Sequence, residues 1–125
     1  MRVLLALIMI ANAALFLFGA VQHAGLTVGR FSEPRIIPAA IVETICCLAL
    51  LGGASVLLAG TSKGWSAALT GNLVALAGVI MGIVALNLGA GPRTASNDLY
   101  HRIMLVLIGI CLVIQFAARA AVSRR

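Results

Sequence analysis

The chain has 125 residues, 62% of them hydrophobic and only 10% charged, with a formal net charge of +6 and a mean hydropathy of +1.15. Soluble domains hold about 45–50% apolar and about 25% charged residues, so a water-soluble globule is excluded: the polar side chains are too few to cover so small a body. The same apolar excess excludes disorder, and the length fits a single domain, residues 1–125.

Four apolar stretches are each long enough to cross a hydrocarbon core, which takes roughly 20 helical residues. They run over about residues 3–22, 36–60, 65–88 and 99–118. Backbone groups in lipid must be satisfied within the segment, and the short alternating segments of a barrel are absent, so the stretches are predicted to be α-helices. The expected fold is all-α: a polytopic integral membrane protein with four transmembrane helices in a compact bundle. Glycine and proline punctuate each connection, in residues 23–35, 61–64 and 89–98.

Arg2 followed by an apolar run also has the form of a secretory signal, but a cut after Ala20 would put bulky Phe18 where a small residue is wanted. An uncleaved first helix is therefore expected. Pro34 and Pro38 bracket the start of the second helix, because the first helical N–H groups lack intrahelical acceptors and lose nothing to proline. Helix two should begin between Arg35 and Pro38, and Ser96, Asn97 or Asp98 should cap helix four.

The third helix carries the clearest pattern. Ala68, Gly71, Ala75, Gly78, Gly82, Ala85 and Gly89 recur at steps of three and four, which places seven small residues on one face. Apolar burial offers little between helices in lipid, so close backbone approach at such a face is how they pack. The seam is expected to face the other helices of the same chain, with a second copy of the chain as the alternative; the expected partners are the lipid bilayer and a homo-oligomer or a membrane partner protein.

Basic residues near span ends set orientation. Arg2, Lys63, Arg119, Arg124 and Arg125 fall on one face of the membrane and Arg30, Arg35, Arg93 and Arg102 on the other. The bias puts both termini in the cytoplasm, in what is expected to be a bacterial cytoplasmic membrane. The net charge then belongs to topology and anionic head groups. No basic stripe interleaved with aromatics points to nucleic acid.

The remaining polar residues cluster on the opposite, non-cytoplasmic boundary: His23 closing helix one, Glu43 inside helix two, and Asp98, His101 and Arg102 opening helix four. An ionisable group inside a span is costly and faces the bundle interior with a partner, so Glu43 is the most informative residue. His23, His101 and Arg102 are its candidate partners. The leading expectation is a non-enzymatic membrane protein whose polar rim, Glu33, Arg35, Glu43, Arg93, Asp98 and His101, binds a partner or a small polar ligand.

Two other readings use the same boundary. His23, Glu43, Asp98 and His101 match the donor types of a zinc or iron site, and the two histidines permit bis-imidazole haem ligation with nearby arginines meeting the propionates. Against the metal stands a simpler role for Asp98, capping helix four and pairing with Arg102 at i, i+4. Alternatively, Glu43 drives a proton-coupled transporter. No cofactor follows from the sequence alone. Cys46, Cys47 and Cys111 lack ligand spacing and are expected to pack. Asn12, Asn72, Asn87 and Gln115 are expected to hydrogen-bond between helices, and Trp65 and Tyr100 to anchor at the interface.

By size and span number the chain resembles small bacterial four-helix membrane proteins such as the DoxX-type proteins and the small multidrug transporters. The transporters carry their membrane glutamate in the first helix among aromatic residues. Here Glu43 lies in the second, aromatics make up 5% of the chain, and no motif assigns it to either family.

Overall fold

A computed structural model describes residues 1–123, with side chains through residue 120. Arg124 and Arg125, which entered the charge count above, lie outside the described residues. Helices α1 (Arg2–His23), α2 (Ile37–Leu58), α3 (Gly64–Asn87) and α4 (Ala95–Ser123) follow one another, and each is long and apolar enough to cross a membrane. At 1.5 Å per residue, the shortest spans about 33 Å.

The helices form a bundle in which α1 packs on α2, α2 on α3, and α4 mainly on α3 and more lightly on α1. Its core is drawn from all four: Leu5, Met9 and Phe16; Leu50 and Leu57; Val79; Met104 and Ile108. Large apolar side chains such as Leu7, Ile45, Leu48, Ile80, Val106 and Val113 are left exposed. In water that would be an aggregating surface; in a bilayer it is the face that lipid solvates.

The small residues set the α2–α3 distance. Ala68, Gly71, Ala75 and Gly78 are buried against the rest of the chain, and a Cβ on Gly71 would stand 2.6 Å from the carbonyl oxygen of Ala49. From α2, a Cβ on Gly53 would stand 2.8 Å from the carbonyl oxygen of Ala67. Backbone thus lies directly on backbone, and the seam packs within the chain. Farther along, Gly82 and Ala85 are only half-buried, because there the seam leaves α2 and borders a cavity.

Helix ends follow local chemistry. Helix α2 begins at Ile37, inside the interval that its prolines define. Helices α2 and α3 both stop at a glycine with positive φ, Gly60 (71°) and Gly89 (73°), the left-handed conformation that other residues adopt only with strain. Helix α4 starts earlier than the hydropathy pattern indicates. Thr94 is its cap: the hydroxyl accepts the Asn97 N–H at 3.1 Å and the carbonyl accepts the Asp98 N–H at 3.1 Å. Ser96, Asn97 and Asp98 therefore lie inside the first turn rather than capping it.

Polar bonds tie α4 to its neighbours. Asn72 Nδ2 donates to Gln115 Oε1 at 3.1 Å, and Gln115 Nε2 donates to the Trp65 carbonyl at 2.8 Å. Asn12 Nδ2 lies 4.0 Å from Cys111 Sγ. Asn87 departs from the expectation: at the end of α3 it donates to the Ile83 carbonyl of its own helix at 2.9 Å.

Candidate functional site

The end of the bundle that carries the 24–36 and 88–94 loops has two polar layers. The outer one closes the loops on each other. Glu33 accepts from the Thr94 hydroxyl at 2.7 Å and from the Ser96 hydroxyl. Arg93 Nε donates to both Asp98 oxygens, at 2.8 and 3.0 Å, and its Nη1 donates to Asn87 Oδ1 at 3.3 Å. The Asp98 partner is therefore Arg93, not Arg102: with the helix starting at Ala95, the preceding loop residue folds back over the first turn. Arg35 lies against Gly25 in its own loop.

Beneath this layer His23 Nδ1 and Glu43 Oε2 are 2.8 Å apart, with side chains 3% and 7% exposed. Helix α1 ends with the imidazole facing the bundle, and Glu43 reaches it from two turns inside α2. The second carboxylate oxygen, Oε1, lies beside Gly19 together with the Tyr100 hydroxyl; a Cβ on Gly19 would be 2.5 and 2.8 Å from them. Tyr100 thus turns its hydroxyl into the bundle, where it donates to the Leu15 carbonyl at 3.4 Å, and does not act as a simple interfacial anchor.

His101, on α4, is buried and engages the Asn97 main-chain carbonyl through Nδ1 at 2.9 Å. A carbonyl oxygen only accepts, so Nδ1 carries a proton. The ring lies against α3 at Gly82, where any side chain would overlap it. This close approach is the second use of the small-residue seam.

His23, Glu43, Asn97 and His101 all line one cavity of about 320 Å³. Its remaining wall is apolar, including Ile36, Val42, Ala85 and Leu86. Pro38 and Met81 border it on α2 and α3, and Ala90 from the following loop; all three are exposed. On the far side of His101, a second cavity of about 250 Å³ is bordered by Arg93, Asp98 and Arg102. Among the described residues, His23 Nε2, Glu43 Oε1 and Asn97 Oδ1 are buried polar atoms without a hydrogen-bond partner, as is Gln22 Nε2. Buried polar groups are normally paired, and at this end of the bundle three of the four exceptions belong to residues of a single chamber.

Of the six rim candidates, the structure brings Glu43 and His101 together on this chamber, while Glu33, Arg93 and Asp98 hold loops and Arg35 lies outside it. The four-ligand metal set is not assembled. Asp98 is drawn out to Arg93, and no group of three His, Cys, Asp or Glu side chains among the described residues is placed to hold a metal ion. The arginines that a haem would need are likewise absent from the chamber lining. Asn97 and Tyr100 join the site without a sequence signal of their own, since each sits where a cap or an interfacial anchor is ordinary.

Four apolar spans enclosing a polar-ended chamber define a four-span integral membrane helical protein. No protein-family model matches the chain, and neither curated proteins nor solved structures give a match.

Proposed function

We propose that the protein is a non-enzymatic membrane binding protein, and that the chamber beneath the rim holds a small ligand entering sideways from the lipid. The carrying observation is the concentration of unpartnered buried polar atoms, His23 Nε2, Glu43 Oε1 and Asn97 Oδ1, on residues lining one apolar-walled cavity. Binding pockets have this composition, mostly apolar walls with few placed polar groups. Leaving such groups unpaired costs free energy, and a ligand that drew them toward the cavity would recover it. Glu33, Arg35, Arg93 and Asp98 then serve as the roof rather than as contacts.

Ala85 is half-buried on the chamber wall, so Ala85→Phe places a large ring in the cavity. Mass spectrometry of protein released gently from its native membrane should detect a bound amphiphile on the wild type and at least a tenfold reduction on Ala85→Phe. Equal occupancy of the two proteins would reject the chamber as the site.

The proposal includes an orientation with both termini in the cytoplasm, supported by the basic residues at the span ends. Cys46, Cys47 and Cys111 are free and buried, which leaves a quiet background for labelling. A membrane-impermeant maleimide applied to intact cells should modify Ser32→Cys in the 24–36 loop and spare Ser62→Cys in the opposite turn. The reverse pattern would invert the topology.

A further inference from the structure

We infer that the second cavity, between Arg93 and Arg102, holds the phosphate of an anionic phospholipid. This site is separate from the chamber and does not depend on what the chamber binds. Helix α4 opens at Ala95, so Arg102 sits two turns in, about 10 Å along the axis. Its neighbours on the helix surface face lipid: Leu99, Ile103 and Val106 are 58%, 45% and 60% exposed. A charge in such surroundings needs a counter-charge. Arg102 belongs to neither of the ion pairs found among the described residues, His23–Glu43 and Arg93–Asp98. The carboxylate that helical spacing offers it, Asp98 at i−4, is engaged through both oxygens by Arg93 Nε, and Glu33 and Glu43 do not line the cavity.

Two guanidinium groups against one carboxylate leave the cavity an excess of one positive charge. The counter-charge comes from outside the chain, and the anion that a bilayer supplies at its boundary is the lipid phosphate. A phosphodiester carries one negative charge and balances the excess. A zwitterionic head brings an ammonium beside two guanidinium groups and leaves the excess in place. The donors are accessible, since Arg93 and Arg102 are both exposed. Arg93 uses Nε on Asp98 and Nη1 on Asn87 Oδ1, which leaves Nη2 to donate, and the planar fork of Arg102 suits two phosphate oxygens at once. At about 250 Å³ the cavity has room for the phosphate, and Ile83 and Leu86 supply its apolar wall. Below Arg102 on the same face of α4, Val106, Ile110 and Val113 are exposed and offer an apolar strip for an acyl chain.

The test titrates the full chain, in mild detergent, with phosphatidylglycerol and phosphatidylcholine of identical acyl chains and counts bound lipid by native mass spectrometry. Phosphatidylglycerol should bind at least about tenfold more tightly, the weight of one hydrogen-bonded charge contact. Arg102→Gln should abolish that preference. Arg93→Gln should abolish it too, by freeing Asp98 to pair with Arg102 at i, i+4, which leaves no excess charge. Arg30→Gln removes the same charge from a residue outside the cavity lining and should leave the preference unchanged. Equal binding of the two lipids would reduce the contact to ordinary solvation by the bilayer and overturn the inference. So would a preference that survives either the Arg102 or the Arg93 substitution, or one that falls equally in Arg30→Gln, which would make it a response to net charge alone. Glycerol phosphate in solution should not compete; displacement of phosphatidylglycerol by an equal concentration of it would assign the cavity to a free phosphate and overturn the lipid as its ligand.

Discussion

Replacing Glu43 with alanine should destabilise the bundle by about 3–5 kcal/mol, the range for breaking a buried pair from one side. The His23 imidazole is 3% exposed in the fold, its Nε2 has no partner, and its Nδ1 bond to Glu43 is the one polar contact it makes. Without the carboxylate the ring stays in the dry interior with neither nitrogen paired. Glu43→Gln retains an acceptor of the same length and should lose less. The double variant His23→Leu, Glu43→Leu should lose much less than the two single losses added together, because removing both partners leaves no orphan. Thermal and dodecyl-sulfate denaturation in mild detergent would measure all of these. A Glu43→Ala protein within about 0.5 kcal/mol of the wild type, the range of ordinary surface substitutions, would show that the pair contributes nothing to stability.

A second large effect is expected at glycines that differ only in what faces them. At Gly71 and Gly53 a methyl group meets the main-chain carbonyls of Ala49 and Ala67, at 2.6 and 2.8 Å, and backbone cannot swing aside as a side chain does. Gly71→Ala or Gly53→Ala must push α2 and α3 apart, with an expected loss of about 1–3 kcal/mol from overpacking. At Gly52 and Gly109 an added methyl group would have nothing within 4 Å. There alanine should be neutral or stabilise by up to about 1 kcal/mol, through the helix preference alone. The same unfolding assay on the four variants separates the two behaviours. Equal effects at all four sites would mean that the α2–α3 contact is looser than its backbone geometry indicates.

Most of the architecture is legible in the residues because lipid imposes a narrow menu. Stretches of this length and composition have to be helices, so the spans follow from hydropathy to within a few residues. The exception is the start of α4, where the hydropathy pattern begins only after the polar first turn that Thr94 caps. Helix spacing also shows in advance: the small residues of α3 recur at helical steps, and the structure lays Gly71 and Gly78 directly on α2. Glu43 stands out because a carboxylate inside a span requires a partner, and His23 is among the partners that its position allows.

Which polar residues share a cavity is different in kind, since it depends on how far each helix is rotated and how each loop closes. Glu33, Arg93 and Asp98 look as functional in sequence as Glu43 and His101, yet Thr94 and Ser96 hold Glu33, and Arg93 is spent on Asp98 and Asn87. Tyr100 has the position of an interfacial anchor, but its hydroxyl lies inside, beside Gly19 and Glu43. Solvent, helix number and the face that packs can be read from the residues alone, because hydropathy and small-residue periodicity are local properties of a chain in lipid. That His23, Glu43, Asn97 and His101 border one chamber emerges only when the helices are packed. That convergence joins residues from α1, α2 and α4, distant in the chain, and its geometry is set by the close approach of His101 to Gly82 on α3.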